Sequence, residues 1–285
     1  MPFMDRLLVK NPIRLWCSDH GLLNTNTAVV DFAKARVASR LESKKKSAHS
    51  GSASSAKLKD FLTRFLEAKE KDPAFIDDQR VLALTVANMF AGSDTTAITL
   101  RAIFYFLLKN PTQHRRLLDE LEKSQADGRF ARSDGLVGWE ETRDLPYLGA
   151  CVKESMRLHP AVGLTLERVV PPQGIELCDH FLPGGTIVGC SAWALHAKES
   201  IFGANTDSFL PERWIEASTE KQVEMNNALF SFGMGSRTCI GKNISLLEMY
   251  KLIPAVLRTF EVSHETHLCC NGSADQVVDK FGIRE

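Results

Sequence analysis

The chain has 285 residues, 44% hydrophobic and 25% charged, with 35 basic side chains balanced by 35 acidic ones. That is a globular composition with ample core, in one large domain or two smaller ones, and the balanced charge speaks against a nucleic-acid surface. Seven cysteines at irregular positions set no disulfide framework and point to a reducing compartment.

Met1 to Trp16 carries Asp5, Arg6, Lys10 and Arg14, too many charges for a signal-peptide core. Residues 24–42 have apolar positions at helical spacing, and 44–56, rich in Ser, Ala and Lys, reads as a flexible surface loop. A short amphipathic helix over 58–70 ends at Pro73. The longest periodic segment runs from Ile76 or Asp77 to Asn110 and stops at Pro111. Its most apolar run, Val81 to Ser93, is shorter than the about 20 residues a bilayer span needs, so no transmembrane anchor is expected. In its middle, Ala91-Gly92-Ser93-Asp94-Thr95-Thr96 combines poor helix formers, which predicts a weak point in the helix. Ala87, Met89, Phe90 and Ala91 flank these polar residues, which predicts burial. A buried acid beside an alcohol suits a proton path; the alternative is a polar patch facing solvent.

A helix over 111–126 is followed by a loop holding Gly128, Gly135 and Gly138, then by a helix near 146–159 ending at His159-Pro160. Glu154 and Arg157 share one face of that helix, and an exposed pair of this kind contributes only tenths of a kcal/mol. Between Leu164 and Val188 the pattern turns β-rich, with short strands at 165–170 and 185–188 bounded by Pro-Pro and Pro-Gly-Gly. Trp193 and His196 follow, and His196 reads as structural, with contact to a bound group as the alternative.

Residues 228–248 read ALFSFGMGSRTCIGKNISLLE. Glycines there permit tight turns and close approach to the main chain. A cysteine in such a loop, just before a helix expected over 240–260, lies at the positive end of the helix dipole, which favours thiolate. Cys239 is then a reactive nucleophile or an anionic metal ligand; a lone cysteine is more commonly a small buried apolar residue. Cys151, Cys178 and Cys190 lack this context. His264 to Glu285 is polar and without clear period.

The string Phe232-Gly233-x-Gly235-x-Arg237-x-Cys239-x-Gly241 resembles the haem-ligand loop of the cytochrome P450 family. Three further motifs in order strengthen the likeness: Ala91-Gly92-Ser93-Asp94-Thr95-Thr96, Glu154-x-x-Arg157 and Pro211-Glu212-Arg213-Trp214. The resemblance covers roughly residues 20–262 and implies a mainly α fold with a small β component, N-terminally truncated, with 263–285 an atypical polar tail lacking the family's final β-hairpin. It implies that Met1 stands near the middle of the family's chain, without the N-terminal portion that carries the anchor.

By the same resemblance Cys239 would hold haem iron, a ligation that favours O–O cleavage, with Phe232, Gly233 and Gly241 shaping the loop. Arg168 and Arg237 would bind the haem propionates through their planar forks. Thr95 would organise hydrogen bonds around dioxygen, and Asp94 would take part in proton delivery. Glu154, Arg157 and Arg213 would form a buried structural network. Phe90, Ala91, Ala161, Val162, Leu164 and Thr165 would line the substrate. The implied activity is insertion of one oxygen atom from O2 into a small lipophilic organic substrate. Electrons would come from NADPH through NADPH-cytochrome P450 reductase, and an intact relative would sit on the cytosolic face of the endoplasmic reticulum membrane. Two alternatives stay open: a non-catalytic remnant, and a reductase-independent peroxygenase or isomerase, against which Asp94-Thr95 argues.

Overall fold

A computed structural model describes residues 28–49, 60–132, 134–267 and 276–283. The chain divides into two compact units, Met1–Ala91 and Gly92–Glu285.

The first unit holds helices α1 (Ala28–His49) and α2 (Phe61–Lys71) and the opening of α3 (Asp78–Lys109). Helix α1 continues through Lys44–Lys46, where a loop is expected from composition; Lys and Ala are good helix formers, and the helix outlasts its apolar pattern. Asp60 caps α2 by accepting from the Thr63 amide at 2.8 Å and pairs with Arg40 at 2.5 Å, contacts that hold its carboxyl well below the usual range.

The second unit contains the rest of α3, then α4 (Pro111–Ala126), α5 (Trp139–Thr142), α6 (Pro146–Leu158), α7 (Ala192–His196), α8 (Glu199–Phe202), α9 (Arg213–Glu216), α10 (Thr219–Ala228) and α11 (Lys242–Thr259). Proline stands at the start of both α4 and α6, where a missing N–H costs nothing. The core packs Ile103 and Leu107 of α3 against Leu117, Leu118 and Leu121 of α4, Leu148 and Val152 of α6, and Met249, Ile253 and Leu257 of α11. No side chain at the residue ahead of α6 caps that helix. Instead, Glu120 reaches across from α4 and accepts from the amides of Tyr147 at 2.8 Å and Leu148 at 2.9 Å. By length and composition α3 is able to cross a membrane, but its C-terminal half belongs to this core.

Among the described residues, three two-stranded antiparallel sheets complete the unit. β1 (Arg168–Val169) pairs with β4 (Ile187–Val188), Arg168 opposite Val188. β2 (Ile175–Leu177) and β3 (His180–Leu182) form a hairpin that the sequence pattern does not announce. Its turn uses Cys178 and Asp179 at φ of 51° and 61°, the twist a two-residue hairpin requires, without the glycine that signals it. β5 (Phe260–His267) pairs with β6 (Gln276–Ile283) along its whole length, Phe260 opposite Ile283 and His267 opposite Gln276. The expectation of a polar tail lacking a β-hairpin is therefore corrected, since 260–267 and 276–283 pair as antiparallel strands. Val262, Val277, Val278, Phe281 and Ile283 are good strand formers, but no clean alternation marks them. The architecture is mainly α with little strand.

Candidate functional site

The cysteine loop is built from two 3-10 turns, Phe230–Phe232 and Gly235–Arg237. Gly233 and Gly235 take φ of +67° and +68°, a region that L side chains enter only with strain. A Cβ at Gly233 would also stand 3.2 Å from Leu166 Cδ1, so this glycine lets the segment leading into β1 pack on the loop. The Cys239 amide donates to Phe232 O at 2.8 Å, and Thr238 Oγ1 donates to the same oxygen at 3.3 Å. Helix α11 begins just beyond, with Gly241 O accepting from Ile244 and Ser245.

Cys239 itself is exposed. So are Met234 and Ile240 beside it, and nothing lies within 4 Å of a Cβ placed at Gly235. A bare thiol, a glycine surface and an apolar rim fit a flat, largely apolar group whose central metal accepts a thiolate, as haem iron does. Cys151 has the opposite setting: it is fully buried, and burial, with the charges of Glu120, Glu212 and Glu154, pushes its thiol well up. Cys178 and Cys190 are exposed but stand at the β2–β3 turn and after β4. No cluster of His, Cys, Asp or Glu able to hold a metal occurs among the described residues.

Behind the loop lies a closed polar network. Glu154 Oε1 accepts from Arg157 Nη2 at 2.8 Å, Arg213 Nε at 3.0 Å and the Leu210 amide at 3.1 Å. Its Oε2 accepts from Arg157 Nε at 2.9 Å and Trp214 Nε1 at 2.8 Å. The remaining Arg157 and Arg213 donors reach carbonyls of His196, Ser208, Phe202, Ala204 and Asn205. Glu154 and Arg157 are fully buried. Sequence reasoning anticipates the three charged members but misses the Trp214 indole. His196 joins the network to the loop: its Nδ1 lies 2.9 Å from Arg157 O, and its Nε2 accepts from the Phe230 amide at 2.9 Å. His159 ends α6 with its ring edge-on to Trp193 at 5.5 Å.

The helix motif differs from expectation in two respects. α3 is unbroken through Gly92–Thr96; Thr99 Oγ1 donates to Thr95 O at 2.9 Å without interrupting the ladder, because the hydroxyl shares the carbonyl rather than displacing its helical partner. The polar centre is also not enclosed. Phe90 is 50% exposed, and Ala87, Ala91, Gly92, Ser93 and Asp94 are exposed, with Thr95 half-buried. Apolar neighbours on one helix turn point in every direction, and burial needs a second element over them. The next residue, Thr96, is buried, and its hydroxyl lies 3.2 Å from that of Ser245 in α11. The threonine turn is thus fastened to the helix that follows Cys239.

The residues leading into β1 are also open: Leu164 is 80% exposed, Val162 and Thr165 are exposed and Ala161 is half-buried. The Arg168 guanidinium folds back on the carbonyls of Leu166 and Glu167 at 3.4 and 2.7 Å. Arg237 is exposed in the second 3-10 turn.

The family model described as Cytochrome P450 matches residues 8–273. The chain belongs to the cytochrome P450 family. A cytochrome P450 monooxygenase of Aspergillus terreus is 45% identical over 92% of this chain and 51% of its own length. The cytochrome P450 monooxygenase cicH of Emericella nidulans is 43% identical over 92% of this chain and 50% of its own length. Pisatin demethylase of Fusarium vanettenii is 42% identical over 71% of this chain and 37% of its own. This P450 chain therefore spans about half the length of the curated relatives it matches. Haem is the cofactor the P450 family implies.

Proposed function

We propose that the protein is a haem-thiolate monooxygenase that places one oxygen atom from O2 into a small lipophilic organic substrate. Electrons come from NADPH through NADPH-cytochrome P450 reductase, at the cytosolic face of the endoplasmic reticulum. The observation that carries this reading is the Cys239 thiol, exposed on a glycine-turned loop directly ahead of a helix. The relatives named as monooxygenases support the reaction class.

Haem bound at Cys239 supplies the redox chemistry that activates dioxygen. The chain's own residues then have three tasks. The hydrogen bond from the Cys239 amide to Phe232 O and the glycine turns hold the sulfur in one pose, which spares the site reorganisation. Asp94, exposed to water, and Thr95, half-buried one residue on, offer a carboxylate and a hydroxyl through which a proton passes inward. Arg168 and Arg237 stand exposed with guanidinium forks suited to carboxylates, and Ala161, Val162, Leu164 and Thr165 face a lipophilic substrate. Glu154, Arg157 and Arg213 have no chemical task and hold the loop's foundation.

A non-catalytic remnant that binds haem poorly or not at all is the second reading, favoured by the exposure of Arg168 and Leu164. One measurement separates the two: the reduced, CO-bound difference spectrum of the haem-supplied protein beside Cys239→Ser. A red-shifted thiolate band lost in the variant supports the enzyme. A band indifferent to Cys239 overturns it, and no haem uptake favours the remnant.

A further inference from the structure

We propose that His196 is a positioning residue for the Cys239 loop, its neutral ring clamping the loop's stem to the Glu154–Arg157 helix so that protonation of the ring releases the stem. The ring's two hydrogen bonds fix its protonation state. The Phe230 amide is able only to donate, so Nε2, 2.9 Å away, is the acceptor and carries no proton. The proton therefore sits on Nδ1 and is donated to Arg157 O at 2.9 Å. A second proton at Nε2 would set two N–H groups against each other and break the Phe230 contact.

That contact is upstream of the cysteine. Phe230 O accepts from Gly233 N at 2.9 Å and Phe232 O from Cys239 N at 2.8 Å, so the turn His196 grips is the turn on which Cys239 hangs. A further side-chain bond fastens the stem to α6, from Ser231 Oγ to Met156 O at 2.9 Å. The groups facing the ring are Arg157 and Glu154 of α6 and the Phe202 ring of α8, edge-on at 5.8 Å. His196 is 1% exposed. Burial pushes its pKa down to about 4, the nearby Arg157 charge acts in the same direction, and the bond to Arg157 O opposes both. A folded pKa below the unfolded one means that the neutral ring's contribution to stability is fully present above about pH 6.5, whereas in the folded protein the clamp itself opens as pH falls through about 4.

The spectroscopic arm of the test rests on the haem-thiolate reading, and a second arm does not. Wild type, His196→Phe and His196→Gln are compared, the glutamine keeping a non-titrating acceptor near the Nε2 position. By hydrogen-exchange mass spectrometry at pH 7 without haem, peptides covering 230–239 should exchange about tenfold faster in His196→Phe, the cost of a buried amide left unpaired, and near the wild-type rate in His196→Gln. In the haem-supplied proteins, lowering the pH from 7 to 4 should erode the thiolate CO band of wild type while that of His196→Gln persists. Wild-type exchange in His196→Phe, or loss of the band at the same pH in wild type and His196→Gln, overturns the proposal. If no protein shows a Cys239-dependent band, the haem-thiolate reading fails and the exchange arm alone decides the clamp.

Discussion

Two neighbouring regions of the second unit are built on opposite plans. At Glu154 one carboxylate takes five hydrogen bonds from two arginines, an indole and an amide, all within packed protein. Around Cys239 the backbone is equally well tied, yet the side chains Met234, Arg237, Cys239 and Ile240 face outward. The first region is complete in itself. The second presents a fixed backbone and an open surface, the form expected of a site that completes itself on a ligand. Stability and function are thereby separated by a few residues, and substitutions in the two regions should read out differently.

The largest effect on stability is expected from Glu154→Gln. It leaves the guanidinium groups of Arg157 and Arg213 buried without their counter-charge and turns an amide N–H towards donors. Removing one partner of a buried ion network costs about 3–5 kcal/mol. Urea or thermal unfolding should show a loss of that size, and a loss under about 1 kcal/mol would mean that the network is as weakly coupled as an exposed pair.

Gly233→Ala tests the join between the two plans. The added methyl must adopt φ of +67° and meets Leu166 Cδ1 at 3.2 Å, for a combined cost of about 1–3 kcal/mol. A cost near zero would show that the loop has room to relax away from β1. Because the strain lies in the loop, haem uptake should suffer more than the unfolding midpoint does.

How far the sequence foretells these regions depends on the range of the interaction. Helix starts at Pro111 and Pro146 are local and legible, as are the helical spacing of Glu154 and Arg157 and the glycine pattern before Cys239. The Trp214 indole on Glu154, the Glu120 cap on α6 and the His196 clamp join residues far apart in sequence, where no short pattern marks the partner. The β2–β3 turn hides because Cys178 adopts a positive φ that side chains other than Gly, Asn and Asp seldom take. Burial around Asp94 is misjudged for a third reason: apolar composition states what a surface tolerates, not what covers it.

Thr96→Val removes a hydroxyl that lies 3.2 Å from Ser245 Oγ while keeping the shape. A single neutral hydrogen bond is worth about 1 kcal/mol, so the unfolding midpoint should move slightly. A double-mutant cycle with Ser245→Ala should recover a coupling of about 0.5–1 kcal/mol, and a coupling of zero would show that α3 and α11 are held by packing alone.

The smallest effect on stability is expected at Cys239, the residue to which the proposed function assigns the haem. Cys239→Ser changes one atom of an exposed side chain, and exposed substitutions fall within about 0.5 kcal/mol of neutral. The same change should abolish the thiolate CO band. If it instead unfolded the chain by more than about 1 kcal/mol, Cys239 would belong to the closed plan rather than the open one, and the exposed sulfur would lose its standing as a ligand. An unchanged midpoint with the band gone is the result that the open loop predicts, because a side chain held for a ligand contributes to binding and not to the fold.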